Sequence, residues 1–401
     1  MATFLRRAFI TLLLFVLAAF VIHYSWQRRK VVNNNFSFNE KESISLRYFP
    51  RAMHAYGLQA WFDSNPMEAA GFFRQDVYND PFHIDGWIRL AQAELALGNL
   101  ETSQEMLRFT FNLTRPIFRW KWKQMLLAHE LGLEDVLMQI ANYFLANGRM
   151  TSNTLQMIET HFNGDAQRIA GALSEKGLLA YLEWLMSWGS LEDVDFVWKK
   201  LVGSQGVDDK TVLKYVHYLI KKKHIVEASR VWEKVTGIKG MTNGDFEADI
   251  KNLGFDWRYW GNKNWEIKRI KEPGAEGSYC AQVIFYGKSN ISFHNLYQIV
   301  PVEPLKRYAI SYLWKSDEIT TDQGPFVEIY GYDTKGLYEK SPMITGTHDW
   351  RQDSIEFLPP ENCHAVVVRL RRLPSKRFDC NIKGMLFLDN FIVNIVTLKN
   401  Y

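Results

Sequence analysis

A spacing of 34 residues between similar side chains recurs across residues 45–237 and restricts this part of the chain to a repeating architecture. The first set is Met53, Tyr56, Gly57, Ala60, Ala69 and Phe73, matched by Trp87, Leu90, Ala91, Glu94, Ser103 and Leu107. A later set is Leu178, Tyr181, Leu182, Leu185, Val194 and Trp198, matched by Val212, Tyr215, Val216, Leu219, Ala228 and Trp232. Repeats of this length are usually helix pairs that bury their apolar faces by stacking on the next pair.

The repeated positions resemble the tetratricopeptide repeat (TPR), and the stretch from Trp87 to Asn99 is the best single match. Gly98 and Asn99 are expected to form the turn between its two helices. In such a unit the small residue of the first helix lets the second approach, and an aromatic ring fills the gap. The resemblance implies a groove that binds a protein partner. An α-helical array outside that family is the alternative.

Near the N-terminus, residues Ala8–Trp26 contain no acidic residue, lysine or arginine. About 20 apolar residues are enough to span a bilayer, and Tyr24 and Trp26 suit its interface. The bulky residues that end this segment offer no small-residue cleavage site. The sequence therefore favours an uncleaved transmembrane signal anchor in residues 1–30 over a cleaved signal peptide. Basic residues flank both ends, so the charge rule does not decide the orientation.

Composition supports a folded protein: 47% of the 401 residues are hydrophobic and 23% are charged. A net charge of +4 gives no sign of nucleic-acid binding. Three cysteines occur in the last third of the chain, Cys280, Cys363 and Cys380. A disulfide between Cys363 and Cys380 is left open by the sequence.

After residue 240 the helical spacing gives way to short alternating runs separated by Gly, Pro, Asn and Asp. Examples are Tyr308–Trp314, Phe326–Tyr332 and Ala365–Arg371. Alternation of this kind predicts a β-sandwich. The predicted organisation is multidomain, α then β: a transmembrane helix (1–30), a TPR-like α-solenoid (31–240) and a jelly-roll β-sandwich (241–401).

The last domain resembles the carbohydrate-binding, galactose-binding-like jelly rolls. It carries the opening Asn243-Gly244-Asp245-Phe246-Glu247, an early tryptophan, and then, in order, Gln298–Val302, His348–Trp350 and Leu386–Phe391. The resemblance implies a structural calcium ion at Glu247 and Asp389, because carboxylates from the first and last strands would bind it. The alternative is that both are ordinary polar residues at strand ends.

A glycan site is predicted on one strand, where Glu328, Tyr330 and Tyr332 share a face. Flat rings beside a carboxylate suit stacking on a sugar and recognition of its hydroxyl groups. Trp257 and Trp260 form a second aromatic group assigned to the same role. Packing in the core is the alternative for these rings.

Catalytic motifs are not found in the sequence. His129-Glu130 begins like a zinc-protease helix, but Leu133 stands where the second histidine is required. Gly287-Lys288-Ser289 resembles the end of a phosphate loop, but Gln282 replaces the required glycine. We therefore predict a binding protein and no enzyme.

The combination of anchor, helical array and sugar-module-like sandwich resembles bacterial envelope proteins associated with polysaccharide synthesis or export. We predict a single-pass inner-membrane scaffold, largely periplasmic, that binds a protein through the array and polysaccharide through the sandwich. The alternatives are a structural assembly factor whose β-domain has no ligand, and a glycan-active enzyme.

Overall fold

The computed structural model describes residues 2–33, 46–202, 207–272, 277–377 and 380–396. It divides into two compact units, Met1–Ser204 and Gln205–Tyr401. The sequence-based boundary at 240/241 therefore falls inside the second unit.

The first unit is helical. Its helices are α1 (Ala2–Val32), α2 (Pro50–Phe62), α3 (Pro66–Asn79), α4 (Ile84–Ala96), α5 (Leu100–Leu113), α6 (Phe118–Glu130), α7 (Glu134–Ala146), α8 (Thr151–His161), α9 (Ala166–Ala172), α10 (Glu175–Trp188) and α11 (Leu191–Val202). The second unit opens with α12 (Asp209–Lys221) and α13 (Ile225–Thr236).

Among the described residues, α1 is the one helix long and apolar enough to cross a membrane, over Ala8–Val32 with a mean hydropathy of 2.2. It contains the predicted segment Ala8–Trp26, whose side chains are exposed. The C-terminal end of α1 packs on α2, where Val31 joins a small core with Met53 and Tyr56.

The predicted helix-pair packing is present where the repeat begins. Gly57 on α2 lies so close to α3 that a Cβ atom there would stand 2.5 Å from the ring of Phe73. In the next pair the Ser103 hydroxyl donates to the carbonyl of Ala91 at 2.6 Å. Small residues thus bring the two helices of a pair together, as the spacing predicts.

The second unit continues as two antiparallel sheets. Its strands are β1 (Arg258–Tyr259), β2 (Trp265–Lys271), β3 (Tyr279–Tyr286), β4 (Phe293–Pro301), β5 (Tyr308–Thr320), β6 (Phe326–Gly331), β7 (Tyr338–Lys340), β8 (Gly346–Phe357), β9 (Ala365–Arg372) and β10 (Lys383–Ile395). The strand orders are β1-β4-β9-β6-β7 and β2-β3-β10-β5-β8. The predicted β-sandwich is confirmed, and apolar residues from both sheets share one core.

Helices α12 and α13 belong with the sandwich because their apolar side chains pack on it. The indole N–H of Trp232 donates to the Thr242 hydroxyl at 3.2 Å. Gly254 lies directly against the same ring, where a Cβ atom would be 2.4 Å away. A helix pair with no following repeat needs another surface to cover its apolar face, and the sandwich provides it.

All three cysteines are free thiols, so the disulfide left open by the sequence is not formed. Cys280 and Cys363 are buried. The Cys363 thiol donates to the carbonyl of Ala365 at 3.3 Å.

Candidate functional site

The candidate site lies on the outward face of the β1-β4-β9-β6-β7 sheet, the side turned away from the sandwich core. The register places Tyr297 of β4 opposite Arg369 of β9, and Arg369 opposite Glu328 of β6. Arg258 and Lys340 extend this row to the two edge strands. Because residues directly opposite each other in an antiparallel pair face the same side, these five point to one side of the sheet.

An ion pair stands in the middle of the face. The Glu328 carboxylate is buried and accepts a hydrogen bond from Arg369 Nε at 2.7 Å. Its other oxygen accepts the Tyr338 hydroxyl at 3.1 Å. The guanidinium of Arg369 also lies 4.7 Å from the centre of the Tyr330 ring. Contacts on both sides therefore fix the orientation of this charged pair.

Trp260 stands at one edge of this face with 46% of its surface exposed. Its ring meets the rings of Tyr297 and His294 edge-on, each with centroids 6.1 Å apart. Arg371 lies beside them, donating to the Ser292 hydroxyl at 2.9 Å. Burial, together with the charges of Arg371 and Arg369, lowers the pKa of His294, which favours the neutral ring.

Part of the same face is covered by helices. Ile299 and Val367 point outward from the sheet but are buried, outside the sandwich core. Tyr332 also faces the helices, because its hydroxyl donates to the carbonyl of Ile220 on α12 at 3.2 Å. It borders a cleft of about 330 Å³ next to α13. The open part of the face is therefore the part that carries Trp260 and Arg371.

Of the predicted glycan residues, the structure brings together Glu328, Tyr330 and Trp260 on this face. Tyr332 lies under the helices, as described above. Trp257 does not fit the prediction, because it is 1% exposed. Its ring stacks on Phe246 at 5.2 Å and meets Phe391 edge-on at 5.0 Å, so no face is left for a sugar.

Sequence reasoning missed Arg369, Arg371, Tyr297 and Tyr338. Alternation within Ala365–Arg371 places Arg369 and Arg371 on one side of β9, which is a signal that could have been used. Nothing local to the sequence shows that Arg369 lies beside Glu328, since that depends on strand pairing.

At the predicted calcium site, one oxygen of each carboxylate accepts hydrogen bonds from the backbone. Glu247 Oε1 accepts the backbone N–H groups of Ser278 at 2.5 Å and Tyr279 at 2.9 Å. The buried Asp389 accepts the N–H of Asn390 at 2.7 Å. The two carboxylates are therefore engaged in hydrogen bonds with the backbone.

Arg269 supplies a positive charge where the ion was expected. Its guanidinium donates to the carbonyls of Phe246 and Glu247, each at 2.6 Å, and to Asp249 at 3.0 Å. The N–H groups of Ser278 and Tyr279, with the charges of Arg269 and Lys271, hold the pKa of Glu247 below its usual range. From these charges we expect no divalent cation beside Glu247.

Replacing Arg269 with alanine is expected to destabilise the sandwich by about 2–3 kcal/mol, because hydrogen bonds to a charged donor contribute strongly. Thermal unfolding of the full chain in detergent, with and without added calcium, measures the effect. The exposed neighbour Lys268, replaced by alanine, is the control and should change little. Stabilisation of the wild-type sandwich by calcium would contradict the assignment.

No protein-family model and no curated protein matches this chain. Solved structures do match, and the C-terminal β-sandwich resembles carbohydrate-binding modules. A CBM4 structure is 16% identical over 39% of this chain and 99% of its own, with a TM-score of 0.29. TmCBM61 in complex with beta-1,4-galactotriose is 17% identical over 40% and 99%, with a TM-score of 0.29. The CBM22-1 xylan-binding domain of Paenibacillus barcinonensis Xyn10C is 14% identical over 38% and 92%, with a TM-score of 0.28.

Proposed function

We propose that this chain is a membrane-anchored, non-catalytic scaffold whose sandwich binds a polysaccharide on the open part of the β1-β4-β9-β6-β7 face. The observation that carries the proposal is the exposed indole of Trp260 on the same face as the oriented Glu328–Arg369 pair. An aromatic ring covers the apolar face of a sugar, while the partly exposed guanidinium of Arg369, which the buried Glu328 orients, binds its hydroxyls.

The spacing of groups along the face suits an extended glycan. Trp260 lies next to β1 at one edge, and Tyr338, with 54% of its surface exposed, lies on β7 at the other. Between them β4, β9 and β6 are neighbours, each about 4.8 Å from the next. A ligand that touches both rings must therefore cross most of the sheet, which requires a chain of several sugar units.

The helical array is the part we assign to a protein partner, as a TPR-like solenoid. Large apolar side chains are exposed around its first turns: Phe62, Met67, Tyr78 and Phe82 are each more than 70% exposed. Large exposed apolar side chains are available to a partner, and where they form a contiguous patch they mark a binding surface. With α1 as the anchor, the array would hold the sandwich and its glycan at a membrane complex for envelope polysaccharide synthesis or export.

The buried outward side chains Ile299 and Val367 favour a second candidate, a structural assembly factor without a ligand. They show that part of this sheet face already serves for packing on α12 and α13. On that view Trp260 would contact another protein and no sugar.

A glycan panel distinguishes these functions. The full chain in detergent would be tested for retention on plant and bacterial polysaccharides, and the same polysaccharides would be examined for released sugars. Retention without release supports the proposal. Failure to be retained by any glycan supports the structural candidate, and released sugars would show an enzyme.

Orientation in the membrane needs its own test. We expect a reporter that functions only in the periplasm to be active when it is fused after Tyr401. Activity of a reporter restricted to the cytoplasm would overturn the proposed placement.

A further inference from the structure

Three side chains of metal-ligand type converge in the first unit. His54 lies on α2, Asp76 on α3, and His83 immediately before α4. One donor atom from each lies within 4.8 Å of the other two. Among the described residues, this is the one group of three or more His, Cys, Asp or Glu side chains whose donor atoms lie this close together.

Both imidazoles point at one carboxylate. His54 Nδ1 is 3.0 Å from Asp76 Oδ2, and His83 Nδ1 is 2.8 Å from the same oxygen. In a tetrahedral zinc site with bonds of about 2.0–2.1 Å, neighbouring donor atoms are about 3.3 Å apart. Each of these two pairs would therefore separate by only about 0.3–0.5 Å to accept an ion.

We propose that His54, Asp76 and His83 bind a divalent transition-metal ion of the zinc type. Two imidazole nitrogens and one carboxylate oxygen are a donor set that such ions prefer, whereas calcium and magnesium take oxygen ligands. Three protein ligands leave at least one coordination position. The two histidines border a cavity of about 700 Å³, from which water or a partner's side chain would fill it.

The surroundings orient these ligands as the outer groups of a metal site do. Asp85 Oδ2 lies 3.4 Å from His54 Nε2, and the Lys123 ammonium holds Asp85 at 2.6 Å. Histidines that bind metals commonly donate their other ring N–H to a carboxylate in this way. Gly86 provides the space for Asp76, because a Cβ atom there would be 2.4 Å from Asp76 Oδ2.

The charges around the cluster are balanced. Asp76 is fully buried, so its negative charge needs a positive partner. The cavity lining contributes Asp80 and Asp85 against Arg51, Arg119 and Lys123. The three carboxylates offset the three cationic side chains, so a divalent ion that displaces the histidine protons would meet no net positive charge from them.

The test uses the full chain in detergent, freed of metal with a chelator and then titrated with zinc by calorimetry. The expected result is one zinc ion per chain at this site. His83→Ala is expected to weaken binding on the order of 100-fold, because one of three ligands is lost. His83 is partly exposed, so this change should leave the fold intact, which circular dichroism would check.

The matched control is His129→Ala, since His129 Nδ1 lies 3.0 Å from His161 Nδ1 and forms a separate histidine pair. Zinc binding is expected to be unchanged in that variant. The proposal is overturned if the wild-type chain binds no zinc, or if His83→Ala binds zinc as tightly as the wild type. Cobalt in place of zinc gives a second readout, independent of any variant. A spectrum with nitrogen and oxygen ligands is expected, and a thiolate charge-transfer band would contradict the assignment.

Discussion

Replacing Arg372 with alanine is expected to lower the opening free energy of strands β9 and β4 by about 3–5 kcal/mol, the largest stability effect we predict for the sandwich. Arg372 ends β9 and is fully buried. Its guanidinium donates to the carbonyls of Ile291, Gln323 and Cys380, to Asn290 Oδ1 and to the Thr321 hydroxyl. Removing it leaves several buried acceptors without a donor, and each such loss is costly.

Native-state hydrogen exchange of the full chain measures this effect, because it reports the strands of the sandwich separately from the helical unit. The control is Arg351→Ala, an exposed arginine of β8 in the same sandwich. Its substitution is expected to change the free energy of opening, as derived from hydrogen exchange, by less than about 0.5 kcal/mol. Equal protection in the wild type and the Arg372 variant would show that the buried guanidinium does not hold these segments together.

Replacing Trp260 with alanine is expected to weaken binding of whichever glycan the panel identifies by about 2 kcal/mol, or roughly 30-fold. The indole is 46% exposed on the candidate face, and its removal takes away the stacking surface. The variant should fold, because Trp260 lies outside the sandwich core. Isothermal titration with soluble oligosaccharides of the retained glycan gives the comparison.

Trp188→Ala is the matched control for that experiment. Trp188 is 78% exposed and lies in the first unit, so it tests for non-specific stacking on an exposed indole. Its substitution is expected to leave glycan affinity unchanged. Equal losses in both variants, or no loss in Trp260→Ala, would remove Trp260 from the site.

Features set by neighbouring residues were predictable from sequence. The uncharged run that begins at Ala8 gives a long apolar helix, and the alternation at Phe326 gives a strand. The contact between Gly57 and Phe73 also follows the prediction, because the repeat places a small residue opposite an aromatic one. Hydrophobic periodicity is a property of consecutive residues, so the sequence shows it directly.

Features set by long-range pairing were not predictable in the same way. Glu328 and Arg369 meet only because β6 pairs with β9 in one register. Trp257 and Trp260 look alike in sequence, but one is packed in the core and the other is exposed. An offset of three residues turns them to opposite faces of the sheet, and only the packing of the sheet decides which face is buried. Burial of Trp232 against Gly254 likewise depends on a tertiary contact, which hydrophobic periodicity does not report.

The most direct test of glycan binding on the β1-β4-β9-β6-β7 face is hydroxyl-radical footprinting of the full chain with and without the retained polysaccharide. We predict that the glycan protects Trp260, Tyr297 and Tyr338, while Trp188 remains unchanged. The exposed Tyr286 lies on the other sheet and should also remain unchanged. Protection of Tyr286 without protection of Trp260 would place the glycan on the opposite side of the sandwich and contradict the account.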